Sequence, residues 1–227
     1  ELINCIYTVT KKYGNLTRLL VGTDIYVVLT KPEDYKVRNY TALQYNNYNV
    51  TLFQELKPIF NNYWDHVEQI RANVSDKSCD VQNTITEATS FAMLMLAIYT
   101  DVQEKLRQEI LVTFNNDKID AQRLLSMRYL HMVIQETLRL FPIVPIISRQ
   151  LTGDIKLESC TLPEGCYIMI PTFAIHRNPA YWYKPLEFIP ERFLTTRHRY
   201  TYIPFGMGFR DCIGKYFHIK PFILKMV

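Results

Sequence analysis

Apolar positions recur along this chain at helical spacing in its first and middle parts and at strand spacing in between and later. Leu2, Ile3, Ile6 and Val9 share one helical face and stop before Gly14-Asn15, which predicts a short first helix over residues 1–13. Leu16–Val21 and Ile25–Leu29 are β-rich runs around Gly22-Thr23-Asp24 and predict a hairpin. Thr30-Lys31-Pro32-Glu33 has the form of a capping box with proline in the first turn, so a helix is expected to start there. From Tyr35 to Val50 no period is sustained, which predicts a loop or an unnatural junction. Leu56, Phe60, Tyr63, Val67 and Ile70 then mark an amphipathic helix.

The middle of the chain is helical by the same test. Phe91–Ile98 is continuously apolar within a segment beginning near Thr84, too short to span a bilayer, and predicts a buried core helix. Thr100-Asp101-Val102-Gln103 looks like a second capping box, with Val102, Leu106 and Ile110 stacked beneath a charged face and an end near Asn115-Asn116-Asp117. Leu130, Val133, Ile134, Thr137 and Leu138 make the next stripe, stopped by Pro142. Beyond it, Ile155–Leu157 and Cys166–Ile170, separated by a Pro163-Glu164-Gly165 turn, predict a small sheet. Phe173–Tyr183 returns to helical composition, Pro185–Phe193 is irregular and Thr196–Tyr200 is a basic loop. The fold class expected is mainly α with a small β subdomain.

Composition narrows the function classes. Of 227 residues 48% are hydrophobic and 21% charged, ordinary for a globular chain and against disorder. The net charge of +4 comes without a Lys/Arg run, which argues against nucleic acid while leaving a local basic face for an acidic redox partner. Cys5, Cys79, Cys160, Cys166 and Cys212 are odd in number and form no C-x-x-C, so neither a disulfide framework nor a zinc site is suggested, and a reducing compartment fits. Sequons at Asn15, Asn39, Asn49 and Asn73 are expected from an Asn-rich stretch by chance. No apolar run reaches a membrane span, no signal peptide opens the chain, and Glu1 in place of Met suggests an incomplete N-terminus.

The chemistry concentrates in Phe205-Gly206-Met207-Gly208-Phe209-Arg210-Asp211-Cys212-Ile213-Gly214. Gly206 and Gly208 can take positive φ and let the backbone approach a flat ligand, and Gly214 keeps the following turn free of a side chain. A thiolate at Cys212, beside Arg210 and at the start of an expected helix, can ligate a metal. In isolation such a cysteine is more often an inert buried thiol. Its setting changes that balance, because the glycines and the arginine each have a task beside the sulfur.

These ten residues resemble the haem-binding loop of the cytochrome P450 family, Phe-Gly-x-Gly-x-Arg-x-Cys-x-Gly, at every specified position. Glu136-Thr137-Leu138-Arg139 is similar to that family's Glu-x-x-Arg, and Phe188-Ile189-Pro190-Glu191-Arg192-Phe193 to its third motif. Glu136 and Arg139 alone would be a solvated pair worth a few tenths of a kcal/mol; the resemblance implies instead a buried ion triad of Glu136, Arg139 and Arg192. It also implies haem, iron protoporphyrin IX, with Cys212 as axial thiolate, Phe205, Gly206, Gly208 and Gly214 shaping its seat, Arg210 and Arg149 toward its propionates, and Ile143–Ile147 lining a substrate pocket. Counting back from Phe91 puts Asn83-Thr84 where the family's oxygen-activating acid and threonine belong, so the hydroxyl of Thr84 is retained and the carboxylate is not.

The resemblance runs from about Glu87 to Phe217 and loosely over residues 1–36, and most of the helices covering the distal haem face are not recognisable. The chain is thus expected to be a single, truncated or internally deleted member: residues 1–36 an N-terminal helix and hairpin, 37–83 an uncertain junction, and 84–227 the proximal haem-binding portion. Pro221, where the helix after the cysteine should continue, suggests an abnormal C-terminal end as well. The wording of the motifs looks most like the fatty-acid-hydroxylating and insect members of family four. The function implied is hydroxylation of a lipophilic substrate with O2 and electrons from an NADPH-dependent cytochrome reductase, on the cytosolic face of the endoplasmic reticulum membrane through an anchor outside this sequence. Two rivals stay open: a non-catalytic haem-binding or partner-binding fragment, and a helical scaffold with a fortuitous cysteine loop.

Overall fold

The structure, a computed structural model, describes residues 8, 12, 14, 16–21, 24–32, 34, 80–115, 121–195, 200–208 and 211–212. The helices expected over residues 1–13 and 56–70, the basic stretch at 196–199, and Phe209, Arg210 and Gly214 lie wholly or almost wholly outside the described residues.

Strands β1 (Leu16–Val21) and β2 (Asp24–Leu29) form the expected antiparallel hairpin, with Leu16 opposite Leu29 and Val21 opposite Asp24, so Asp24 belongs to a strand and not to the turn. The sheet is completed from the far end of the sequence. Strands β3 (Ile147–Gln150), β4 (Ile155–Lys156), β5 (Thr161–Leu162) and β6 (Tyr167–Ile170) follow one another, and β6 lies between β2 and β3 in the order β1-β2-β6-β3. It pairs parallel with β2, Tyr26 opposite Tyr167, and antiparallel with β3, Ile147 opposite Ile170. Central strands covered on both faces carry unbroken apolar runs; Ile168 and Met169 are fully buried on opposite faces, the first with Val27 and Leu29, the second with Tyr26 and Val28. β4 and β5 make a separate two-stranded ribbon.

Among the described residues the helical layer consists of α1 (Asp80–Ile98), α2 (Thr100–Phe114), α3 (Ala121–Ser126) and α4 (Arg128–Leu140). Leu130, Val133, Ile134 and Leu138 of α4 pack with Ala92, Met95 and Leu96 of α1 and Val102 and Leu106 of α2 into one core. α1 is buried along that stripe only. Met93, Leu94 and Ile98 are 52%, 51% and 61% exposed, which corrects the expectation, from the apolar run alone, of a buried core helix. The capping box at Thr100 is also corrected: Tyr99 is the N-cap, no side chain caps the helix, and the chain turns by 109° between α1 and α2 across that single residue. α2 ends as expected at Asn115, in the left-handed conformation at φ 42° with its N–H on Leu111 O.

Past Pro142 the helical reading of 173–183 shrinks to one turn, α5 (Thr172–Ile175), and Pro190–Leu194 is a 3-10 helix. The Thr30–Glu33 helix start is, at Pro32 and Asp34, a 3-10 turn with Asp34 N–H on Lys31 O. Helices and small sheets together give the mainly α, minor β class expected.

Candidate functional site

Residues 203–208 and 211–212 are joined by short-range backbone bonds. Gly206 N–H donates to Ile203 O at 3.0 Å, Asp211 N–H to Gly208 O at 3.2 Å, and Cys212 N–H to Phe205 O at 2.9 Å, which closes the loop and brings the thiol back beside its start. Gly206 and Gly208 stand at φ 72° and 85°, where a Cβ would be strained. A Cβ on Gly208 would meet nothing within 4 Å, so the space there is open, whereas one on Gly206 would touch Ile147 Cδ1 at 3.7 Å. The loop therefore lies against β3 and the Ile143–Ile147 segment. Phe205 and Ile143 pack on the helical core, while Met207 and Ile147 pack on the sheet core, so the loop bridges the two.

Cys212 is half-buried and not in a disulfide. Cys160 and Cys166 are half-buried too, but burial pushes the Cys166 thiol up, which disfavours it as a thiolate ligand. Among the described residues no three His, Cys, Asp or Glu side chains gather around a point where a bare metal ion could sit. One thiol on an open, glycine-shaped loop suits a metal that arrives already chelated in a plane and needs a single axial protein ligand. The residues present thus fit a haem.

A buried ion cluster joins α4 to the 176–192 stretch. Glu136 Oε2 accepts Arg139 Nε at 2.7 Å, and Oε1 accepts Arg139 Nη2 at 2.8 Å, Arg192 Nε at 2.9 Å and the Ile189 N–H at 2.9 Å. Glu136 and Arg139 are fully buried, three residues apart on α4. Arg139 uses all five of its donors, the remaining three on the carbonyls of His176 and Pro185, both at 2.7 Å, and Glu187 at 3.1 Å. Arg192 reaches the carbonyls of Tyr183, Lys184 and Glu187. Trp182 lies under both guanidinium groups, 5.0 Å from Arg139 and 6.0 Å from Arg192. The cluster ties the irregular 176–192 stretch to α4, which explains how a segment with so little regular structure is held in one place.

Sequence reasoning missed His176. It is fully buried, with Nε2 accepting the Ile203 N–H at 2.9 Å, which leaves the proton on Nδ1 to donate to Arg139 O at 3.2 Å. Burial, with Arg139 and Arg177 nearby, pushes its pKa down to about 3, so it is neutral. The one available signal was a single imidazole after the apolar Phe173-Ala174-Ile175, in a stretch whose helical texture suggested nothing more.

Arg149 sits half-buried in β3 with Nη1 on Ser148 O at 2.8 Å. Thr84 is exposed in the first half of α1.

A cytochrome P450 family model matches residues 65–219, more than half of the chain. Cytochrome P450 3A13 of Mus musculus is 45% identical over 139 residues, 59% of this chain and 28% of that protein. Cytochrome P450 3A5 of Homo sapiens is 38% identical over 148 residues, 63% and 30% of the respective chains, and cytochrome P450 3A19 of Capra hircus aegagrus 39% over 149 residues, 63% and 68%. The likeness to family four is corrected by these relatives, which carry 3A names. The chain spans under a third of the length of the mouse and human relatives.

Proposed function

The chain belongs to the cytochrome P450 family, and from that premise we propose that it is the cysteine-bearing proximal part of a haem-thiolate monooxygenase acting on a lipophilic substrate. The observation that carries this reading is the loop tied by the Cys212 N–H bond to Phe205 O, with two positive-φ glycines, open space at Gly208 and one half-buried free thiol. Cys212 would hold the iron, with Phe205, Gly206 and Gly208 forming the seat and Arg149, Arg210 and Gly214 completing it. A bound haem would supply the redox chemistry that activates dioxygen, tuned by electron donation from the Cys212 thiolate.

The chain's own residues have three tasks. The loop places the cysteine, since the Cys212 N–H bond to Phe205 O ties its backbone to the start of the loop. The Ile143–Ile147 stretch would line an apolar pocket that favours a lipophilic guest. The Thr84 hydroxyl would hold a proton for oxygen activation, while Asn83 cannot supply one as a carboxylic acid would. The ion triad of Glu136, Arg139 and Arg192 holds the 176–192 stretch, whose His176 receives the Ile203 N–H ahead of the loop. Electrons would come from an NADPH-dependent cytochrome reductase on the cytosolic face of the endoplasmic reticulum membrane. Among the described residues no single helix is long and apolar enough to cross that membrane.

A second reading has its own support. The chain covers 28–30% of the mouse and human 3A proteins, and α1 exposes Met93, Leu94 and Ile98 where further helices would be expected to pack. On this reading the chain lacks most of the distal helices, with residues 1–36, 37–83 and 84–227 as N-terminal portion, junction and proximal portion, and it is a non-catalytic haem-binding or partner-binding fragment. Leaving a few hundred Å² of apolar surface in water forfeits several kcal/mol at about 25 cal/mol per Å². The 227-residue chain, supplied with haem and reductase, is therefore expected to hold haem without hydroxylating lipophilic probes. Hydroxylation that depends on both reductase and Cys212 would defeat the fragment reading and assign the activity to this chain itself.

A further inference from the structure

The cysteine loop and the ion cluster are joined through one side chain. His176 takes the Ile203 N–H on Nε2 and gives its Nδ1 proton to Arg139 O, in the last turn of α4, where a helix leaves its carbonyls without intrahelical partners. Arg139 returns the contact, with Nη1 on His176 O. The Tyr202 ring stacks on the imidazole at 5.3 Å, and its hydroxyl donates to Gln135 O at 3.1 Å. Ile203, held in this way, offers its own carbonyl to Gly206, the second residue of the loop that Cys212 closes on Phe205.

We propose that His176 is a positioning residue for the iron ligand: as a neutral acceptor toward Ile203 and donor toward α4, it sets the height at which the loop presents Cys212. The assignment of Cys212 as ligand is the reading above, on which this inference rests. A purely structural histidine would need only to fill its space. Here both nitrogens have partners on different elements, and the acceptor nitrogen serves the backbone three residues before Gly206. Few side chains can do both. Lys and Arg offer no acceptor, a phenylalanine fills the volume with neither function, and a protonated imidazole loses the acceptor.

Two variants separate the two bonds. Glutamine carries its amide to about the reach of Nε2 and can still accept the Ile203 N–H, whereas asparagine places its amide at the level of Nδ1 and can serve only Arg139 O. In the haem-free 227-residue chain, alkylation of Cys212 by iodoacetamide, followed by mass spectrometry, is expected to be about fivefold faster in His176→Asn, the scale of one net hydrogen bond, and near the parent rate in His176→Gln. In the haem-loaded chain, His176→Asn should lose much of the thiolate-type carbon monoxide spectrum and His176→Gln should keep it. Equal rates and spectra in both variants, whether raised or unchanged, would overturn the proposal, because space filling alone would then account for His176. Amide exchange on the unmodified chain tests it without any variant. The Ile203 N–H should exchange as slowly as those of β6, and exchange as fast as exposed loop amides would overturn it. Should the parent chain give no thiolate spectrum at all, the ligand assignment fails, and the alkylation and exchange results still decide whether His176 positions the loop.

Discussion

Replacing Glu136 by glutamine is expected to destabilise the chain by about 3–5 kcal/mol, the usual consequence of removing one partner from a buried ion pair. The substitution keeps the volume but leaves two guanidinium groups, Arg139 and Arg192, close together without a counter-charge, Arg139 being fully buried. It also turns N–H groups of the amide toward donors that need acceptors, since Glu136 receives four hydrogen bonds. A domain is stable by only about 5–15 kcal/mol in all, so most molecules of a marginal chain would unfold. The control is Lys105→Ala, which breaks an exposed pair with Glu191 at 2.6 Å and should cost no more than about 1 kcal/mol. Denaturant unfolding of both variants measures the difference, and equal midpoints would show that the cluster is not the anchor of the 176–192 stretch.

Acid should loosen the same region. His176 stays neutral in the fold down to about pH 3, whereas in the unfolded chain it takes a proton near its ordinary 6.5. Between these values the unfolded state binds more protons, so the contribution is complete above about pH 6.5 and is lost as the pH falls toward 3. At about 1.4 kcal/mol per pH unit the loss reaches on the order of 5 kcal/mol. Desolvation is the main cause, and the charges facing the imidazole, Arg139 from α4 and the adjacent Arg177, push the same way. Unfolding midpoints recorded from pH 7 to 4 should fall steeply for the parent chain and less steeply for His176→Gln, which has nothing to protonate. Parallel curves would contradict this origin of the acid sensitivity.

What was legible in the sequence was what neighbouring residues decide. The α4 stripe and its stop at Pro142 follow from helical period and proline sterics, and the β1–β2 hairpin from two β-rich runs around a glycine. Glu136 and Arg139 could be paired from their spacing alone, but their burial could not, because it depends on Trp182, Glu187 and Arg192 arriving from some fifty residues away. Strand β3 went unrecognised for a similar reason. Ile147-Ser148-Arg149-Gln150 has no alternating apolar pattern, and what makes it a strand is the free edge of β6. Phe173–Tyr183 has helix-forming composition, yet after one turn Arg139 and Arg192 draw the backbone carbonyls of His176, Tyr183, Lys184, Pro185 and Glu187 outward, and side-chain bonds replace helical ones. The exposed side of α1 follows not from its apolar run, which by itself announces burial, but from the lack of recognisable distal helices to cover it.

The central claim is that the sulfur of Cys212 is the iron ligand, and the carbon monoxide difference spectrum of the reduced, haem-loaded chain tests it most directly. A Soret band at the thiolate-ligated position, lost in Cys212→Ala and kept in Cys160→Ala and Cys166→Ala, is the result predicted. A band at the histidine-ligated position, no band, or a thiolate band that survives Cys212→Ala would contradict it.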